Sequence, residues 1–323
     1  MLDTKQLLKT VQIQVPLVTR PFSAIADNLH STEDEVIEAL ASLKQKGILR
    51  SIAGIFNAKK LGYQSNLVAF VVPHNNIEEA VRVINPLPGV SHNYLRDGDY
   101  NIWFTLALPQ EENFSDYVEE LAKKAGAMRY NIFKATTMVK LSARFDPDDV
   151  ISDPQFTVKN PDESITIDNT VKQAIRVLQQ DLPLVAEAFG AIVTEKKIPI
   201  DVDKVLATGE KLLAAGVMRS YRAVVRHHAV GFIANAMTVW KADNNKLSDL
   251  LREFSIEPSI SHLYVREAFP NPWEYPVFAM VHAKSQEELS AIIQKLHSIA
   301  KVDYRIYRSL QEFKKERVKY FEH

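Results

Sequence analysis

The chain has 323 residues, 46% of them hydrophobic and 24% charged, and carries a formal net charge of −1. That length exceeds one typical core and asks for two or more domains, while the near-neutral total gives no sign of a polyanion-binding surface. Zero cysteines exclude thiolate nucleophiles, iron–sulfur clusters and cysteine zinc sites, and without a long apolar run or a signal-peptide pattern the expectation is a soluble cytoplasmic protein that does not enter a membrane.

In chain order, FSAIADNLH (22–30) and TEDEVIEALASLKQKG (32–47) place apolar residues at Ile25, Leu29, Val36, Ile37, Leu40 and Leu43, which is helical spacing. Ser31 or Thr32 can cap the second helix, Glu33, Asp34 and Glu35 suit its N-terminal dipole, and Gly47 can end it. The strand-like ILRSIAGIF follows, so residues 1–62 read as a winged helix-turn-helix. Strand NLVAFVV (66–72), helix NIEEAVRVIN (76–85), strands VSHNYLR (90–96) and YNIWFTLAL (100–108), helix FSDYVEELAKK (114–124) and strand RYNIFKATT (129–137) then give βαββαβ, a ferredoxin-like domain over residues 63–143. The Asp- and Pro-rich stretch 144–164 lacks an apolar period and reads as a linker. A second winged helix-turn-helix (165–231), with DVDKVLATGEKLLAAG (201–216) as counterpart helix, precedes a second ferredoxin-like domain (232–323). Its strand connection EAFPNPWE (267–274) is longer and carries Trp273.

Self-similarity supports this tandem α+β organisation. KGILRSIAGIFNAKKLGYQSNLVAFV (46–71) lies over AGVMRSYRAVVRHHAVGFIANAMTVW (215–240) without a gap, matching Gly47 with Gly216, Arg50 with Arg219 and Asn66 with Asn235. SHNYLR (91–96) returns as SHLYVR (261–266), 170 positions later. Duplication of one unit and fusion of the copies is the simplest reading.

Side chains alternate on a strand, so His92, Tyr94 and Arg96 share one face, as do His262, Tyr264 and Arg266. Leu95, Leu263 and Val265 fall on the opposite face and suit packing beneath the helices. Both His-Tyr-Arg rows then lie on the helix-free faces, which two halves can cover by stacking sheet on sheet around a shared chamber. A basic cluster, RSYRAVVRHH (219–228), turns Arg222, Arg226 and His228 one way and Tyr221 and His227 the other. The first half has Ala53, Asn57 and Lys59 at the matched basic positions.

No HExxH, CxxC, Gly-x-Ser-x-Gly or glycine-rich phosphate loop occurs, and the chain has only ten glycines. What remains is Arg and His for anions, Tyr and His for proton transfer, and aromatic walls that include Trp103 and Trp273. That set suits a flat, apolar-bodied ligand bearing several carboxylates.

GYQSNLVAF, SHNYLRDGDYNIWFTL, RHHAVGFIANAMTVW, SHLYVREAFPNPWEYPVFAMVH and YRIYRSLQEFKKERVKYF, spread over both halves, resemble the siroheme decarboxylases, a family of paired subunits with Lrp/AsnC regulator architecture. The resemblance implies two such subunits fused in one chain. It also implies conversion of siroheme to didecarboxysiroheme by loss of two acetate carboxylates as CO₂, toward haem d1 or haem b. Under it, His92, His227, His262, Tyr94 and Tyr264 are the catalytic candidates, His92 and His227 ahead of His262 as proton donors. Arg96, Arg222, Arg226, His228, Arg266, Trp103 and Trp273 would hold the substrate. His228 stands where the family more often has an RHRK-like run, which leaves its role open. No added cofactor or protein-bound metal is implied, since the macrocycle is its own electron sink and its iron belongs to the substrate.

Two other classes stand beside this one. An Lrp/AsnC-like DNA-binding regulator with a small effector is disfavoured because the presumed recognition helix opens on Glu33, Asp34 and Glu35. A haem-binding interaction protein would keep the chamber but need no proton donor. The winged helices also offer surface for a homodimer.

Overall fold

The structure, a computed structural model, describes residues 2–141, 165–225, 234–242 and 244–322. The chain folds as two compact units, each built from both halves: Met1–Gly62, Asp149–Ala229 and Lys319–His323 form one, and Tyr63–Asp148 with Val230–Val318 the other.

The first unit gathers helices α1 (Thr4–Ile13), α2 (Pro21–Asn28) and α3 (Glu33–Gln45) with strand β1 (Leu49–Phe56). From the second half come the counterparts α6 (Asn169–Leu178), α7 (Ala188–Lys196), α8 (Val202–Ala214) and β6 (Met218–Val225). Thr32 caps α3 through a reciprocal capping box with Glu35, and Gly47 follows at φ 71°, a left-handed conformation that costs glycine little. Helix α1 escaped the sequence reading because it buries only Leu7 and Val11, too few residues for a clear apolar period. Instead of two separate wings, β1 and β6 pair with each other, antiparallel, with Ala53 opposite Arg222. A lone wing strand has both edges unpaired, and pairing the two copies satisfies one edge of each.

The second unit contains β2 (Tyr63–Val71), α4 (Ile77–Ile84), β3 (Val90–Arg96), β4 (Ile102–Pro109), α5 (Phe114–Lys124) and β5 (Arg129–Leu141). It continues with β7 (Ala234–Trp240), α9 (Asn244–Ile256), β8 (Ile260–Phe269), β9 (Val277–Ala283), α10 (Gln286–Ala300) and β10 (Tyr304–Lys315). Within each half the strand order is ferredoxin-like, β3-β4-β2-β5 and β8-β9-β7-β10. The face-to-face stack expected from the sequence is not what forms. Strands β5 and β10 pair with β8 and β3 of the opposite half, and the eight strands close into one barrel. Closure removes all four sheet edges, which stacking would have left open.

Alternation sorts the side chains. Val68, Phe70, Ile102, Phe104 and Ile132 pack outward with α4 and α5 residues, joined by Leu95. Trp240, Leu263, Val277 and Ala279 do the same with α9 and α10 in the second half. Val265 is half-buried and joins neither group. The inward positions form one shared cluster: Ala69, Tyr100, Trp103, Phe133, Met237, Val239, Tyr275, Phe278 and Tyr307.

The gapless match of the two halves needs one correction. It holds through the wings, where Gly47 and Gly216 both follow a helix and both have positive φ. In the sheets, Leu67 pairs with inward Phe133 and Met237 with inward Tyr307, so Leu67 corresponds to Met237 and Asn66 to Ala236. The second half carries one extra residue between wing and sheet. Without it every side chain of β7 would point to the wrong face.

Candidate active site at the histidine end of the barrel

Every neighbouring strand pair in the barrel is antiparallel, so β3 and β8, four places apart in a ring of eight, run in the same direction on opposite walls. Tyr94 lies opposite inward Trp103, and Tyr264 opposite inward Phe278. Both His-Tyr-Arg rows therefore face the interior, with His92 and His262 toward one end and Arg96 and Arg266 toward the other.

The two ends differ. At the level of the tyrosines and arginines the interior is filled: Trp103 stacks on Phe133 at 5.2 Å, and Trp273 sits edge-on to Phe133 at 5.1 Å. Trp103 is 1% exposed, and its Nε1 donates to the Tyr100 carbonyl at 2.8 Å. An eight-stranded barrel has an interior just wide enough for its own side chains. Trp103, expected as a wall against a ligand, is core. Trp273, half-buried, reaches the same cluster from the longer connection and anchors through its Nε1 to the Tyr275 carbonyl at 2.7 Å. Toward the histidines the inward positions open: Leu67, Thr105, Asn235, Met280 and His282 are half-buried and Ser65 is exposed. The chamber is thus the mouth at this end rather than the barrel's length.

Each row repeats one construction. His92 Nδ1 lies 2.9 Å from Ser91 Oγ and the ring stacks with Tyr94 at 6.3 Å; His262 Nδ1 lies 2.7 Å from Ser261 Oγ and the ring stacks with Tyr264 at 6.4 Å. The guanidinium groups of Arg96 and Arg266 sit over those tyrosines at 5.1 and 4.5 Å. Their NH1 groups donate to main-chain carbonyls, Arg96 to Tyr307 at 3.0 Å and Arg266 to Phe133 at 2.9 Å. These bonds commit the edge that was expected to clamp a carboxylate. Neither arginine makes an ion pair with an acidic side chain among the described residues, and the Nε of each is buried without a partner. Burial pushes both down to about 10, still cationic at neutral pH. Two positive charges without a salt-bridge partner therefore stand behind the mouth, that of Arg96 eased by the neighbouring Asp97.

The rows diverge in what the opposite half supplies. Beside the first, β10 brings Glu312 opposite Tyr94, Lys315 opposite His92 and Ser309 opposite Arg96. Tyr94 donates to Glu312 at 3.1 Å, Arg96 to Ser309 at 3.0 Å, and Ser309 to Asn235 at 3.0 Å. Beside the second, β5 brings Met138, Leu141 and Ala135 to the matching places. In this apolar setting burial, then the charge of Arg266, hold His262 below the usual histidine range. Ser261 also touches a third group, His282 Nε2, at 2.8 Å. The first half has Ala107 there, as the paired registers of β3/β4 and β8/β9 show.

The barrel thus brings together His92, Tyr94, Arg96, His262, Tyr264 and Arg266. Arg222, half-buried, belongs to the other unit. Arg226, His227 and His228 lie outside the described residues. Sequence reasoning gave no role to Ser91, Ser261, His282 or Glu312. The serines were legible, since both motifs begin Ser-His; His282 shares the inward period of Phe278 and Met280; the pairing of Glu312 with Tyr94 crosses 218 positions and left no local mark. Among the described residues no three His, Asp or Glu converge as a metal site, and no helix is long and apolar enough to cross a membrane.

Comparison with known proteins places this geometry in a family. The AsnC-like ligand binding domain matches residues 60–140 and 229–314, and the siroheme decarboxylase NirDL-like HTH domain matches residues 4–50. A siroheme decarboxylase of Hydrogenobacter thermophilus is 31% identical over 98% of this chain and 94% of its own. The chain belongs to the siroheme decarboxylases. The family also contains single-repeat subunits: the siroheme decarboxylase alpha subunit of Desulfovibrio desulfuricans is 36% identical over 45% of this chain and 83% of its own length. A crystal structure of the siroheme decarboxylase NirDL in complex with an iron-uroporphyrin III analogue superposes with a TM-score of 0.75 at 30% identity, covering 98% of this chain and 94% of that one.

Proposed function

We propose that this protein is a carboxy-lyase that removes two acetate carboxylates of siroheme as CO₂, with the macrocycle seated at the histidine end of the barrel. The observation that carries the reading is the pair of arginines with buried Nε groups and no salt bridge to an acidic side chain, one behind each His-Tyr stack. A buried cation with no counterion favours an anionic ligand, and a polycarboxylated macrocycle brings several negative charges at once.

Losing CO₂ breaks the bond between the carboxyl carbon and the methylene carbon. The electron pair stays on the methylene, where the conjugated ring delocalises it, and a proton then converts CH₂ to CH₃. No cofactor beyond the substrate enters this balance. The apolar β5/β8 seam disfavours a carboxylate more than a neutral CO₂, which assists loss from an arm placed beside Met138. His262, held below the usual histidine range, is the stronger acid once protonated and is the proton donor in this reading. Tyr264, stacked on the imidazole, fixes its plane. His92, Tyr94 and the Glu312–Lys315 side of the mouth bind the substrate's polar periphery. Duplication and fusion of a single-repeat subunit accounts for the pseudo-symmetry. DNA binding is not part of this reading, because α3 meets its surroundings with Glu33, Asp34 and Glu35 in its first turn.

Anaerobic incubation with siroheme, followed by absorption and mass spectrometry, tests the proposal. Two successive losses of CO₂ are expected. Bound but unaltered siroheme would reduce the protein to a tetrapyrrole carrier.

A further inference from the structure

Trp273 enters the barrel at the arginine end, and the two halves close that end by different means. In the first half the connection from β3 to β4 is short and contains Asp97, Gly98 and Asp99, with Asp99 in an ion pair with Arg305 of β10. Gly98, at φ 102°, packs on Tyr307: a Cβ there would stand 2.7 Å from the ring. In the second half the longer connection from β8 to β9 is held by Asn131, which occupies on β5 the place of Arg305 on β10. Asn131 Oδ1 accepts the Asn271 main-chain N–H at 2.9 Å and its Nδ2 donates to the Asn271 carbonyl at 3.2 Å, while Asn271 Nδ2 donates to the Tyr130 carbonyl at 2.7 Å. The connection so fixed delivers an indole where the first half has a glycine.

Trp273 rests on the two residues that hold Arg266. Phe133 offers its carbonyl to Arg266 NH1 at 2.9 Å, and Trp273 meets the Phe133 ring edge-on at 5.1 Å. The Arg266 guanidinium lies 5.7 Å from the centroid of Phe278, on which Trp273 stacks at 6.2 Å and 25°. The indole N–H is bonded to the Tyr275 carbonyl, so the ring plane is set from within its own connection. We infer that Trp273 is a positioning residue: it fixes Phe133 and Phe278 and through them holds the Arg266 guanidinium behind the Tyr264–His262 stack, where it attracts the anionic substrate. The inference rests on the reading of Arg266 as a cation that draws a carboxylated ligand to the mouth. A charge whose place is set in advance, with water kept from part of its surface, acts more strongly on an anion than a mobile, hydrated one. Arg266 as a whole is half-buried, yet its Nε is enclosed without a hydrogen-bond partner, so packing rather than a bond at Nε keeps it in place. Arg96 has other supports: its acceptor Tyr307 packs under Gly98, and Ser309 Oγ takes a second bond at 3.0 Å.

A double-mutant cycle separates positioning from packing alone. Trp273→Ala is expected to weaken siroheme binding about tenfold, the scale of one hydrogen bond to a charged group, and Trp273→Phe should recover most of that loss. In an Arg266→Met background the same Trp273→Ala change should cost less than about twofold, because the group it positions is gone. Equal losses in the two backgrounds would overturn the inference. A second measurement needs no siroheme: hydrogen exchange at the arginine Nε–H groups, followed in nitrogen-15 spectra of the full-length protein. Trp273→Ala should speed exchange at Arg266 about tenfold or more and leave Arg96 as in wild type. Exchange that is unchanged at Arg266, or raised equally at both arginines as general loosening would raise it, overturns the inference. Wild-type protein that binds no siroheme fails the parent reading instead, and the exchange rates then decide the role of Trp273 by themselves.

Discussion

The two seams of the barrel were built from the same pattern and now differ in kind. Where β10 meets β3 the His-Tyr-Arg row is met by Glu312, Lys315 and Ser309; where β5 meets β8 the equivalent row is met by Met138, Leu141 and Ala135. The histidine, tyrosine and arginine are unchanged, with the same serine contact and the same stacking. What distinguishes the rows is supplied by the other half. A pseudo-symmetric barrel can therefore specialise one wall for binding and the other for chemistry without altering the motif itself.

The largest expected effect breaks the comparison at its centre. His262→Ala should lower the rate of CO₂ loss by ~10²–10⁴-fold, the usual worth of a general acid, and His92→Ala by about tenfold or less. Single-turnover mass spectrometry reads both, and the reverse order would hand the chemistry to the polar seam. Next is an exchange of seam character. Met138→Glu places beside Tyr264 the carboxylate that Tyr94 already has. A like charge near the reacting carboxylate, together with a weaker acid at His262, should cost about tenfold in rate, since one pKa unit corresponds to ~1.4 kcal/mol. Glu312→Met should leave the rate within about threefold of wild type, a change of ~0.7 kcal/mol. Equal losses in both variants would dissolve the distinction between the seams.

Most of the parts were legible in the sequence and most of the assembly was not. Helix α5 runs over the residues its apolar spacing marks, and the inward face of His92, Tyr94 and Arg96 follows from alternation alone. Barrel closure depends on β5 and β10 running on to Leu141 and Lys315 and finding partners more than a hundred positions away, for which a strand carries no local sign. The one-residue difference between wing and sheet was hidden because Gly-x-x-x-Asn in both halves aligns without a gap, although Asn66 and Asn235 point to opposite faces. The arginines share the barrel interior with their histidines, but not as free forks, because their main-chain acceptors belong to strands of the opposite half.

A smaller effect sharpens the electrostatic side. Replacing Arg266 by Met removes a cation whose Nε is buried without a partner, and the relieved desolvation cost, offset by the unpaired Phe133 carbonyl, should leave stability within about 1 kcal/mol of wild type. Siroheme affinity should fall at the same time. Stability and affinity that drop together would mean the arginine is structural first. The smallest effect follows from His262 itself. Its folded-state pKa lies below its unfolded value, so the unfolded chain binds the extra proton. Stability is full above pH ~6.5 and declines as the pH falls toward the lower folded value. His262→Gln should flatten that decline in urea unfolding followed from pH 8 to 5. An unchanged slope would show that burial does not depress this histidine.

The central claim is that the reacting arm lies at the histidine end of the barrel, against the apolar seam. A crystal structure of the His262→Ala variant soaked anaerobically with siroheme tests it most directly. The account predicts the macrocycle across the mouth, with one acetate carboxylate beside Tyr264 and Met138 and the polar periphery turned toward Glu312 and Lys315. An acetate seated at His92, or a macrocycle bound away from the barrel mouth, would contradict it.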